Sequence, residues 1–83
     1  MIQIAVIDVG PANSAESLFD LGLKYCNGHE VQRDYVAAHM LFNLAALKGS
    51  IAARDYRREI SREMDASEIA EAQRQARAWL TVH

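Results

Sequence analysis

Cys26 and His29 stand three residues apart in the stretch LGLKYCNGHEVQRDY, Leu21 to Tyr35, with Gly22 and Gly28 on either side of the cysteine. A thiol near an imidazole raises two chemistries. As Cys-x-x-His the pair supplies two zinc ligands, but a structural site takes four, and the only other candidates, His39 and His83, are isolated. As a nucleophile Cys26 needs a positioned base and an orienting third group, and His29 lies across what reads as a helix end. The glycines do not make a phosphate loop, because neither G-x-G-x-x-G after a core strand nor a following Gly-Lys-Ser/Thr is present. Cysteine is among the residues most often buried, so Cys26 reads as packing and His29 as an exposed turn residue. No catalytic residue, metal site or cofactor is expected. A small thiol-dependent enzyme or redox sensor using Cys26 is the alternative.

The remaining charged side chains are arranged along helices. Glu59 with Glu63 and Glu68 with Glu71 sit beside Arg62 and Arg74 at spacings of three and four. Such pairs contribute only about 0.2–0.5 kcal/mol each, and they describe a solvated face rather than an acid/base couple. Between Arg54 and Arg77 the basic residues are matched by Asp55, Glu59, Glu63, Asp65, Glu68 and Glu71, and the whole chain carries a net charge of −2. That mixed field argues against a nucleic-acid partner.

Eighty-three residues form one small domain, of which about 60% of the unfolded surface is buried on folding. The hydrophobic fraction of 51% and the single proline suit a compact helical chain. One cysteine allows no internal disulfide, so an oxidising compartment is not implied. The apolar start MIQIAVIDVG has no basic region and is too short for a usual signal peptide or membrane span, so a cytoplasmic location and no membrane partner are expected.

The elements that must position these residues follow from periodicity. Ile2 to Val9 reads as a strand or extended arm ended by Gly10-Pro11. Asn13-x-x-Glu16 reads as a capping box, opening a first helix near Ser14 with Leu18, Leu21 and Tyr25 on one face and Gly28 as its stop. Asp34 caps a second helix from Tyr35 to about Lys48, ended by Gly49. A third starts near Ser50 with Ala53, Tyr56, Ile60 and Met64 in one stripe. Asp65-x-x-Glu68 opens a fourth, with Ile69, Ala72, Ala76, Trp79 and Leu80 as its apolar face. Trp79 and Leu80 are in phase with the others and read as core or interface. Short connections make neighbouring helices antiparallel.

The order of small and large residues is more specific than amphipathicity. Leu21-Gly22, Tyr25, Gly28, Val31, Asp34-Tyr35, Ala38, Ala45-Ala46 and Gly49 resemble the Sel-one-like repeat, a relative of the tetratricopeptide repeat. Glu30 stands where that family usually has glycine, and Leu41 where an aromatic is common. A shift of 36 residues puts Arg57-Arg58 where Leu21-Gly22 stood and Ser61 where Tyr25 stood, so the second hairpin is a diverged copy. Its ending, SEIAEAQRQARAWL, resembles the closing helices of many bacterial members.

The resemblance implies an all-α fold, a short α-solenoid of two antiparallel helical hairpins (four helices) with an extended N-terminal arm. Its organisation is an arm over 1–13 and a repeat domain over 14–83, divided into a full hairpin, 14–49, and a diverged capping hairpin, 50–83. It implies a non-catalytic protein–protein interaction or adaptor module. In related repeats the first helix of each hairpin lines the concave, partner-binding side, which would place Asp20, Lys24, Arg54, Arg57 and Arg58 on one surface. Arginine suits carboxylates because its planar fork bonds them bidentately. The opposing reading pairs these arginines with Asp55 and Glu59 as solubilising residues. A solenoid is normally stable from about three repeats, so a homodimer formed through the arm or the outer face of the first hairpin is expected.

Overall fold

The computed structural model describes residues 14–82. The expected arm over 1–13 lies outside the described residues. The described chain is all-α, with helices α1 (Ala15–Asn27), α2 (Tyr35–Leu47), α3 (Ile51–Ser61) and α4 (Ala66–Val82). Among the described residues no helix is long and apolar enough to cross a membrane.

Each helix begins at a side chain that takes up an otherwise unpaired amide. Ser14 Oγ accepts from the Ser17 N–H at 3.1 Å, Asp34 Oδ1 from the Ala37 N–H at 3.1 Å, and Ser50 Oγ from the Ala53 N–H at 3.0 Å. Asp65 and Glu68 form a reciprocal box, each backbone N–H donating to the other's carboxylate at 2.9 Å. At α1 the cap is Ser14 rather than the expected Asn13, which lies outside the described residues. Its N3 partner is Ser17, whose hydroxyl bonds back to Ser14 O at 3.1 Å.

The first turn is closed by left-handed backbone. Gly28, at φ 69°, turns its N–H back to Lys24 O, and the His29 N–H reaches the same oxygen at 3.0 Å. Glu30 is also at φ 69°, the one non-glycine among the described residues with positive φ. A Cβ in that region costs roughly 1–2 kcal/mol. The Lys24 ammonium lies 2.9 Å from the Glu30 carboxylate. Their hydrogen bond holds the carboxyl below its usual range and raises the lysine.

Helix α2 is buried around most of its circumference, from Ala37 to Phe42 and again at Leu44 and Ala45. A helix apolar on all sides belongs at the centre, and the other three each pack on it. With α1 it runs antiparallel. Near the turn the Asp34 N–H bonds Tyr25 O at 2.9 Å, and at mid-helix the Phe42 ring lies on Gly22, where an added Cβ would stand 2.6 Å from a ring carbon. The Phe42 ring also meets Phe19 of α1 at 5.8 Å and Tyr56 of α3 at 5.6 Å, and those two meet at 5.5 Å. Three helices therefore share one aromatic triangle, each contact contributing about 0.5–1.5 kcal/mol beyond burial.

Helix α4 buries Ala72, Gln75, Ala76 and Trp79 and packs on α2. The alanines permit close approach. Leu80, expected on that apolar face, is 47% exposed, because it follows Trp79 by one residue and turns out of the stripe. Between α3 and α4 there is little close contact beyond their short connection.

Alanine is a better helix former than glycine by about 1 kcal/mol, yet Gly22→Ala is expected to lower stability by about 1–3 kcal/mol, because the fully buried Phe42 ring has no room to retreat. Phe42→Ala is expected to cost about 3–5 kcal/mol. Urea denaturation followed by circular dichroism measures both, and a stabilised Gly22→Ala variant would contradict this packing.

Candidate functional site

The antiparallel register of α2 and α3 sets polar residues opposite one another. His39 and Asn43 are one turn apart on α2, and Ser61 and Arg57 are one turn apart on α3. They meet as two rungs, His39 Nε2 with Ser61 Oγ at 3.1 Å and Arg57 Nη1 donating to Asn43 Oδ1 at 2.6 Å. Ile69 and Gln73, one turn apart on α4, form the opposite wall with Arg58 at the rim. Together they line an open cleft of about 380 Å³ between α3 and α4, floored by α2. That volume is within the range of small-ligand pockets.

The cleft exists because the second half of the chain lacks the fillers of the first. Gly22 and Phe42, whose contact closes the α1–α2 seam, each stand eight residues past their caps, Ser14 and Asp34. Eight residues past the corresponding caps, Ser50 and Asp65, stand Arg58 and Gln73. A bare backbone and an aromatic ring are replaced by a guanidinium and an amide. Those two side chains cannot interlock, so α3 and α4 stay apart and both line the cleft.

Its electrostatics are one-sided. Two arginines line the cleft and none of the described lining residues is acidic. Arg58 lies 3.9 Å from Asp55, on the exposed side of α3. Arg57 is half-buried, and among the described residues its bond is to the neutral Asn43 amide. An arginine carries five N–H donors, so most of its capacity is open to a ligand.

The hydrogen bonds fix the state of His39. The Ser61 hydroxyl donates to Arg57 O at 2.7 Å, its only hydrogen, so its oxygen must accept from His39 Nε2–H. Nδ1 is buried without a partner among the described residues, so a proton there would have no acceptor. Burial of the imidazole, and then the Arg57 charge, push its pKa down from 6.5, which favours the neutral ring.

Of the residues anticipated from sequence, not all line the cleft. Arg57 and Arg58 share the cleft. Arg54, exposed, lies 3.9 Å from the same Asp55 oxygen as Arg58 and does not line the cleft. Lys24 is engaged by Glu30 within the first hairpin, and Asp20 is exposed on α1, where it adds weakly to the field at Lys24. His39, Asn43, Ser61 and Gln73 were not anticipated. A signal was present for the first two, as polar residues one turn apart in an otherwise apolar helix.

At the first turn, Cys26 is half-buried, and burial pushes its thiol up, opposed by Arg33. The His29 imidazole is 72% exposed and lies 3.9 Å from Glu30. Among the described residues no three His, Cys, Asp or Glu side chains are grouped to hold a metal ion. No family model matches the chain, and neither a curated protein nor a solved structure matches it.

A histidine whose folded pKa is depressed stabilises the fold fully only above its unfolded value. That contribution is lost as pH falls below about 6.5 toward the folded value. The urea midpoint is therefore expected to fall between pH 7.5 and 5. His39→Gln, which keeps a donor for Ser61, is expected to flatten that dependence, and an unchanged slope in the variant would contradict the neutral, buried assignment.

Proposed function

We propose that this chain is a non-catalytic interaction module that presents its helical surface to a protein or peptide partner, with the α3–α4 cleft as the contact. The observation that carries this reading is the open cleft itself. Where the first hairpin seals its seam with Gly22 and Phe42, the second presents Arg57, Arg58 and the Gln73 amide beside Asn43 of α2. Polar groups of this kind fix orientation and specificity in a binding groove. The resemblance of Leu21-Gly22, Tyr25, Gly28 and Asp34 to the Sel-one-like repeat points the same way, toward an adaptor acting in the cytoplasm. The φ of 69° at Glu30, where the family has glycine, fits the turn such repeats require.

Self-association belongs to the same proposal. Leu47 and Ile51 are 65% and 66% exposed at the corner between α2 and α3, and that apolar surface favours covering by another chain. The thiol reading has no comparable support. Burial raises the Cys26 pKa, which lowers the thiolate population that a nucleophile needs.

A photo-crosslinking residue in place of Gln73, expressed in the native cell, is expected to give a discrete adduct with one protein species. The same residue in place of Glu16, exposed on α1, is expected to give none at that mass. Equal labelling from both positions, or no adduct from either, would remove the cleft as the contact.

A further inference from the structure

The chemistry of the cleft specifies what enters it. Apart from the buried His39 Nδ1 and the Gln73 Oε1, its unused groups are donors. They are the remaining guanidinium N–H groups of Arg57, the Arg58 fork, the Asn43 NH₂ (whose oxygen is taken by Arg57) and the Gln73 amide. The Ser61 hydrogen is already committed to Arg57 O, and Ile69 supplies one apolar wall. A donor-lined cleft with a half-buried cation selects an acceptor that carries negative charge.

The amount of charge selects among anions. Asp55 lies 3.9 Å from Arg58 and offsets part of its charge. Arg57 faces only a neutral amide among the described residues. One largely uncompensated guanidinium matches one monoanion, and a planar carboxylate meets the arginine fork with two parallel hydrogen bonds. A phosphate monoester brings nearly two charges at neutral pH, more than Arg57 and the partly offset Arg58 together match. The cleft is open and floored by α2, where His39 is only 3% exposed, which leaves room for a side chain to enter above it.

We infer that the α3–α4 cleft is a carboxylate-recognition site, in which Arg57 clamps a glutamate or aspartate side chain of an acidic partner segment and Arg58 and Gln73 close over it. This rests on the interaction-module reading and names the group that such a module recognises. Asn43 is a positioning residue, because its oxygen holds one Nη of Arg57 and leaves the rest of the fork directed to the ligand.

The test uses the whole protein and blocked peptides, so it is independent of any cellular partner. N-acetylated, C-amidated Ala-Glu-Ala, its glutamine counterpart and its phosphoserine counterpart are titrated into labelled protein and followed by NMR. The glutamate peptide is expected to shift the Gln73 side-chain amide and the Arg57 Nε–H, and to bind at least tenfold more tightly than the glutamine peptide. Binding should also move the His39 titration midpoint upward. Among the described residues the charge acting on that ring is Arg57 of α3, with Arg58 also lining the cleft; α4 contributes the neutral Ile69 and Gln73, and a bound carboxylate offsets the Arg57 charge.

Arg57→Gln is expected to weaken the glutamate peptide at least tenfold, whereas Arg74→Gln, on the exposed face of α4, leaves it unchanged. Asn43→Asp gives the sharper arm. It places a carboxylate of nearly the same shape against Arg57 and is expected to abolish peptide binding while the melting temperature holds or rises. Equal binding of glutamate and glutamine peptides, tenfold tighter binding of the phosphoserine peptide, or full binding by Asn43→Asp would each overturn the inference. A Gln73 crosslink in cells that survives Arg57→Gln would overturn it too, while leaving the interaction module standing.

Discussion

The Phe42 ring on the bare backbone of Gly22 is the contact from which the rest of the architecture follows. Glycine inside a helix forgoes about 1 kcal/mol of intrinsic stability. What it permits is the approach of α1 to α2 close enough for an aromatic ring to lie against main chain, in an interior packed as densely as an organic crystal. That placement sets the ring where Phe19 and Tyr56 also reach it. Helix α3 is thereby held parallel to α1, since both run antiparallel to α2. One side chain sets three helix positions.

The same contact explains the asymmetry of the molecule. Equal spacing from the helix caps matches Gly22 with Arg58 and Phe42 with Gln73, and where the first hairpin has a sealed seam the second has an open, cationic cleft. Helix α4 then finds its packing on α2, through Ala72, Ala76 and Trp79, and leaves α3 one face short of a partner. The two hairpins therefore differ in two ways at once: the second lacks the hydrophobic contact of the first and presents polar groups at the equivalent spacing from its caps. The polar rungs His39–Ser61 and Asn43–Arg57 hold the α2–α3 side of the opening in register.

Much of the fold was legible in the sequence because its boundaries are local chemistry. Ser50, Asp34 and the Asp65/Glu68 box act within one turn of themselves, and Gly28 stops α1 by its own φ. The one-residue shift from Asn13 to Ser14 reflects two neighbouring residues that can both cap. The site was legible only in part. Arg57 and Arg58 stand out as charges in a position where the first hairpin has Leu21 and Gly22. Their company does not, because His39, Asn43 and Gln73 come together only through the register of α2 against α3 and the lie of α4, which depend on contacts far apart in sequence. Lys24 and Asp20 were grouped with them on the strength of the helix they occupy, whereas a carboxylate six residues along the chain, Glu30, holds the lysine in its own turn.

The central position of α2 has a consequence for how the domain comes apart. Helices α1, α3 and α4 lean on α2 far more than on one another, in the manner of spokes on a hub. A spoke can lift at its end without disturbing the opposite side, as expected for the exposed terminus of α4 at Val82. The hub cannot loosen without releasing all three. Cooperativity of the whole domain is thus vested in a single helix of 13 residues, and the floor of the cleft, built on that helix, is the last part of the molecule to open.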